Sequence, residues 1–159
     1  MSIRILALGS AVVLTAAWSG PRPATPAPRA TSFIAHLTAG QETPPNNTGA
    51  TGTATFSVSG TTLHYSIEVK GLSEAPTAAH VHLGAKGVAG PPVFTFPLKA
   101  GSGKSGTISE GTLDLTRDAS AGVSGDSLRT LLGNGHAYVN VHTKNFPGGE
   151  IRGQVMPKP

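Results

Sequence analysis

Two neighbouring stretches, GTATFSVS (52–59) and TLHYSIEV (62–69), alternate apolar and polar side chains with a period of two. On a helix that spacing would scatter the apolar groups around the cylinder. On a strand it puts them all on one face. Ala54, Phe56 and Val58 share a face of the first segment, and Leu63, Tyr65, Ile67 and Val69 share one of the second. Ser59-Gly60 lies between them as a turn, so the pair reads as a hairpin with one buried and one solvated face. Further strands are expected at 33–38, 78–83, 93–98, 106–115, 136–142 and 150–156. One segment, SGDSLRTLLGNG, has helical spacing instead. Ser124 or Asp126 caps it, Leu128, Leu131 and Leu132 face inward, and Gly133 stops it, which gives one short helix near 125–132.

Composition supports this reading. The chain has 21 glycines, 13 prolines and 13% charged residues, a balance that suits a turn-rich β domain. Seven or eight short strands separated by turn signals predict an all-β, antiparallel β-sandwich. The expected core includes Phe56, Leu63, Tyr65, Ile67, Val69, Val81, Leu113, Leu115, Val139, Val141 and Ile151.

Residues 1–19 have the form of a cleaved signal peptide: Arg4, the apolar run ILALGSAVVLTAA, and the small residues Ala17 and Ser19. The run is shorter than the roughly 20 residues a spanning helix needs, so no transmembrane segment is expected after cleavage. Residues 20–32, GPRPATPAPRATS, read as a Pro/Ala/Thr-rich disordered tether. The folded domain is expected at 33–156, with 157–159 as a tail. The mature chain is expected to be secreted or periplasmic, and monomeric. The net charge of +4 comes without a Lys/Arg cluster, which argues against a nucleic-acid partner. The absence of cysteine excludes disulfides, thiol nucleophiles and Cys-ligated zinc.

The chemistry-bearing residues collect in two segments. In AAHVHLG (78–84), strand alternation points His80 and His82 the same way, with Cα atoms roughly 6.5–7 Å apart. In HAYVNVHTKNFPGGEIRGQV (136–155), Tyr138, Asn140 and His142 share the outer face, and the return strand adds Glu150 and Arg152 beside them. A His-x-His strand with a third histidine makes a three-imidazole set with an open position, which suits copper or zinc. Asn140 or Glu150 then orients a ligand, and Arg152 attracts an anion to the open position. The competing reading is that these are polar residues on wet strand faces, as expected for His36 and His64. No nucleophile elbow or phosphate loop is present.

Five segments in this order resemble the chordin-type (CHRD) domain family: LTAGQETPP, GTATFSVSGTTLHYSIEVKGL, AAHVHLGAKGVAGPPV, GTLDLT and AYVNVHTKNFPGGEIRGQV. The resemblance implies an exported single domain of a kind found in bacterial secreted proteins and repeated in animal chordins, where the whole protein binds extracellular growth factors. It implies no particular reaction. His80, His82 and His142 also resemble the copper ligands of copper/zinc superoxide dismutase, an immunoglobulin-like Greek-key β-sandwich, and Arg152 falls where that enzyme keeps an anion-guiding arginine. The missing cysteine pair, and a loop after HVHLG without a further histidine, reduce what this likeness implies to a single copper.

Three functions stay open at this point. The first is an extracellular binding module for an unknown protein or small ligand, recognised through the loops and the patch of Tyr138, Asn140, His142, Glu150 and Arg152. The second is a mononuclear copper protein; if it is an enzyme at all, it is a superoxide dismutase-like oxidoreductase. The third is a structural envelope domain.

Overall fold

The computed structural model describes residues 31–117 and 123–159. The expected signal peptide and nearly all of the tether lie outside the described residues. Among the described residues, nine strands form one continuous sheet: β1 (Ser32–Thr38), β2 (Thr51–Ser59), β3 (Thr62–Lys70), β4 (Pro76–Leu83), β5 (Pro92–Thr95), β6 (Gly106–Asp114), β7 (Ala137–Thr143), β8 (Ile151–Gln154) and β9 (Met156–Pro157). Their order is β5-β4-β7-β8-β1-β2-β3-β6, with β9 paired to β1, and every pairing is antiparallel.

The period-two hairpin forms as its sequence dictates. β2 pairs with β3 from Thr51↔Lys70 to Ser59↔Thr62, and Gly60 takes the positive φ of 58° that the tight turn needs. The apolar sets Ala54, Phe56, Val58 and Leu63, Tyr65, Ile67, Val69 are all buried. The sheet curls until its halves face each other. Phe96, just past β5, packs 5.1 Å from Tyr65 and 6.2 Å from Phe56, and Phe94 meets Tyr65 edge-on at 5.8 Å. The Phe96 amide bonds to Ala79 of β4 while the Lys99 amide bonds to Ile108 of β6, so this segment stitches the two ends of the sheet together. The result is the all-β, sandwich-like architecture expected, built from one curled sheet.

The helix α1 spans Gly125–Gly133, with Ser124 as its cap and the Ser124 hydroxyl accepting from the Ser127 amide. Leu128 and Leu132 are buried, whereas Leu131 is only partly so. Gly133 does not stop the helix as the sequence predicts. It is the last helical residue, and Asn134 caps the end before Gly135 turns the chain at φ 73°. Leu113 and Leu115 line the core margin rather than its interior. No helix among the described residues is long and apolar enough to cross a membrane.

Candidate metal centre

The path from β3 to β4, then through β5, β6 and α1 to β7, brings β4 and β7 side by side, from Pro76↔Thr143 to Leu83↔Ala137. Their inward residues Ala79, Val81, Val139 and Val141 are essentially inaccessible. That core face fixes the opposite face, where His80 sits across from Asn140, His82 across from Tyr138, and His142 across from Ala78. Ala78 is small, so the His142 ring leans diagonally towards His80. The ring centroids of His80 and His142 are 5.0 Å apart, those of His80 and His82 5.4 Å, and those of His82 and His142 6.2 Å.

One nitrogen from each of the three rings lies within 4.8 Å of the others, and all three residues are half-buried. His80 Nδ1 is 3.0 Å from His142 Nε2. Two nitrogens bound to one ion at about 2 Å stand no more than about 4 Å apart, so ring adjustments of under about 1 Å close the widest gap. Two backbone carbonyls orient the rings. His82 Nδ1 is 2.8 Å from the Gly90 oxygen, and His142 Nδ1 is 2.9 Å from the Pro147 oxygen. A carbonyl oxygen only accepts, so both Nδ1 atoms carry the proton and both Nε2 atoms keep a lone pair. His82 Nε2 is buried and has no hydrogen-bond partner among the described residues.

The electrostatics favour neutral rings. Burial pushes His80 down to about 4, and His142 and His82 add to the shift. Burial also lowers His82 and His142, against the opposing bonds to Gly90 and Pro147. Neutral imidazole is the form that binds a metal, and here it does not have to be won from protons near neutral pH.

The flanking residues do not form the open patch that strand alternation suggests. Tyr138, Asn140 and Arg152 are each 3% exposed and Glu150 is 0% exposed. Tyr138 stacks on His82, with centroids 4.9 Å apart and planes 11° from parallel. The Arg152 guanidinium carbon lies 3.4 Å from the Tyr138 ring centroid, and its nitrogens donate to the Val88 and Ala85 carbonyls and to Thr43 Oγ1. It therefore stacks on Tyr138 and spends its donors on the flanking loops. Glu150 turns away from the histidines. It accepts from the Ser73 amide and hydroxyl at 2.7 and 2.8 Å and from Thr143 Oγ1 at 2.6 Å, which ties the turn after β3 to β7. The alternation fails there because the regular β7–β8 register begins at Ile151, while the Glu150 amide bonds to the Val141 carbonyl outside that register.

Sequence reasoning reads Glu42 as a loop residue and leaves it out of the site. Its two oxygens accept from Asn140 Nδ2 at 2.9 and 3.0 Å. Burial pushes its carboxyl up to about 7, against the pull of Arg152 and its bonds with Asn140 and Thr43. Its only sequence signal is that it is an acid between short polar and Pro-rich stretches, which does not show that the chain folds over Asn140. Gly149, at φ 130°, lies on the same pair, and a Cβ there would stand 2.4 Å from Asn140 Nδ2.

Fold and site together define a small all-β domain with three imidazoles gathered on one outer sheet face. Residues 33–155 match the CHRD domain model, and the chain belongs to the CHRD domain family. No curated protein matches it.

Proposed function

We propose that this CHRD domain is an exported metal-binding module that holds one copper ion through His80, His82 and His142. The observation that carries the reading is the convergence of three imidazole nitrogens, two of them on rings whose opposite nitrogen is pinned to a carbonyl. That arrangement lets the rings bind with little reordering, and it resembles the support given to histidine in metal sites generally. The set contains no carboxylate and no thiolate, which favours copper or zinc over magnesium or calcium, and copper(II) stands highest among divalent ions for such ligands. A bound copper would supply redox or Lewis-acid chemistry at the open position.

The competing idea of a recognition patch for a protein or small ligand draws on the loops, His142, Tyr138, Asn140, Glu150 and Arg152, and the burial of the last four leaves little of them for a partner to touch. The placement of Arg152 likewise gives no support to an anion-guiding, dismutase-like role.

The test is a thermal melt of the mature domain with and without copper, beside His82→Ala. Copper at a hundredfold excess over Kd adds about 2.7 kcal/mol, a rise in Tm on the order of 10 °C for a domain of this size. The variant should lose that rise. An unchanged Tm in the wild type, or the same rise in the variant, overturns the proposal.

A further inference from the structure

The polar ends of three side chains on three different strands converge on one loop. β7 lies between β4 and β8, so His82 and Arg152 flank Tyr138 from opposite sides. The order across the sheet is imidazole, phenol ring, guanidinium, at the spacings given above. Each member also reaches the segment 84–90. His82 Nδ1 donates to the Gly90 carbonyl. The Tyr138 hydroxyl accepts from the Gly90 amide at 3.1 Å and donates to its carbonyl at 3.3 Å. Arg152 Nη2 donates to Val88 at 2.7 Å and to Ala85 at 3.3 Å. Gly90 has no freedom to be another residue, since a Cβ there would stand 1.7 Å from the Leu83 carbonyl oxygen.

Burying a guanidinium is costly. A loop that needed only to be closed could be closed by neutral donors. Arg152 does two things that a neutral amide cannot do together: it stacks on the aromatic ring and forks to two carbonyls. Its effect reaches His82 by two routes. It holds the loop that carries the Gly90 carbonyl, and it presses Tyr138 into the stack against the imidazole.

We propose that Arg152 and Tyr138 are positioning residues that hold the 84–90 loop so that the Gly90 carbonyl locks His82 as its Nδ1–H tautomer, with Nε2 turned towards His80 and His142. The relevance of this lock to metal rests on the copper reading above; the lock itself is a property of the metal-free protein.

The experiment is a long-range ¹⁵N–¹H spectrum of the metal-free protein, which reads the protonation of each imidazole nitrogen. It is run on wild type, Arg152→Lys, Tyr138→Leu and Tyr138→Phe, with copper affinity measured in parallel. The wild type should show His82 as a single Nδ1–H tautomer. Arg152→Lys keeps the charge but loses the planar fork, and Tyr138→Leu loses the stack. Both should give a mixture of tautomers and bind copper 10–100-fold more weakly, the range found when a ligand's supporting partner is removed. Tyr138→Phe keeps the stack and loses only the hydroxyl bonds, so it should lose less than Tyr138→Leu in both readouts. If Arg152→Lys does not fold, the two Tyr138 variants decide. A wild-type His82 that is protonated on Nε2 or mixed overturns the proposal. So do folded variants that keep the wild-type tautomer and affinity. If the wild type takes up no copper but the tautomers behave as stated, the lock stands and the copper reading falls.

Discussion

At the scale of single residues, His80 and Glu42 are shifted by burial in opposite directions. His80 is pushed from 6.5 down to about 4. Between those values the unfolded chain holds a proton that the folded chain does not, so folding is opposed as pH falls. In the metal-free protein, wild type should therefore lose stability relative to His80→Gln as pH drops from about 6.5 to about 4, measured by denaturant melts along a pH series. A stability difference that stays flat over this window would contradict the assigned burial. Glu42 runs the other way. Its carboxyl is raised from 4.5 to about 7, so the folded state holds the extra proton and stability is lost as pH rises through that range. Glu42→Gln keeps an amide-sized partner for Asn140 and removes the charge. It should be close to wild type at pH 5 and more stable than wild type at pH 8, by thermal melting. Neither residue's environment is legible in the sequence. A histidine two places from another histidine shows where it points, but not which ring from 60 residues away will desolvate it.

Strands and turns carry the next level, and here the sequence was more informative. Alternation placed Ala79, Val81, Val139 and Val141 in the core and His80, His82 and His142 opposite them, as found. It worked because the alternation is a property of a paired strand, and these residues lie inside the β4–β7 ladder. It misplaced Glu150, which precedes the regular β7–β8 register at Ile151 although its amide bonds to the Val141 carbonyl. It also could not tell outward from exposed, since the loops 39–46, 84–91 and 144–149 cover the outer face. Gly149 shows how tightly one of them lies. With φ 130° and no room for a Cβ beside Asn140 and Glu42, Gly149→Ala should destabilise the domain by about 1–3 kcal/mol. The same change at Gly103, where nothing lies within 4 Å and φ is not positive, should cost no more than a few tenths. Equal losses at the two positions, in urea unfolding, would refute the close packing of that turn.

Taken as a whole molecule, the domain makes its site by topology. The chain leaves β4, closes the far end of the sheet through β5, Phe96 and β6, forms α1, and returns as β7 beside β4. Only that return places His142 within reach of His80 and His82. The antiparallel strand pattern, the hairpin and the family likeness were readable from sequence because they depend on local pattern and motif, whereas β9 makes one strand more than the seven or eight expected. The adjacency of β4 and β7 was not, because it depends on how the sheet closes. The central claim is that closure assembles one three-nitrogen metal site. The most direct measurement is electron spin resonance of the domain loaded with one equivalent of copper(II), repeated after ¹⁵N-histidine labelling and in His142→Gln. A three-histidine site predicts a single copper species whose nitrogen splittings change with the label and fit three coupled histidine nitrogens in the wild type and two in the variant. A spectrum of loosely bound copper, or one unaltered by loss of His142, would contradict it.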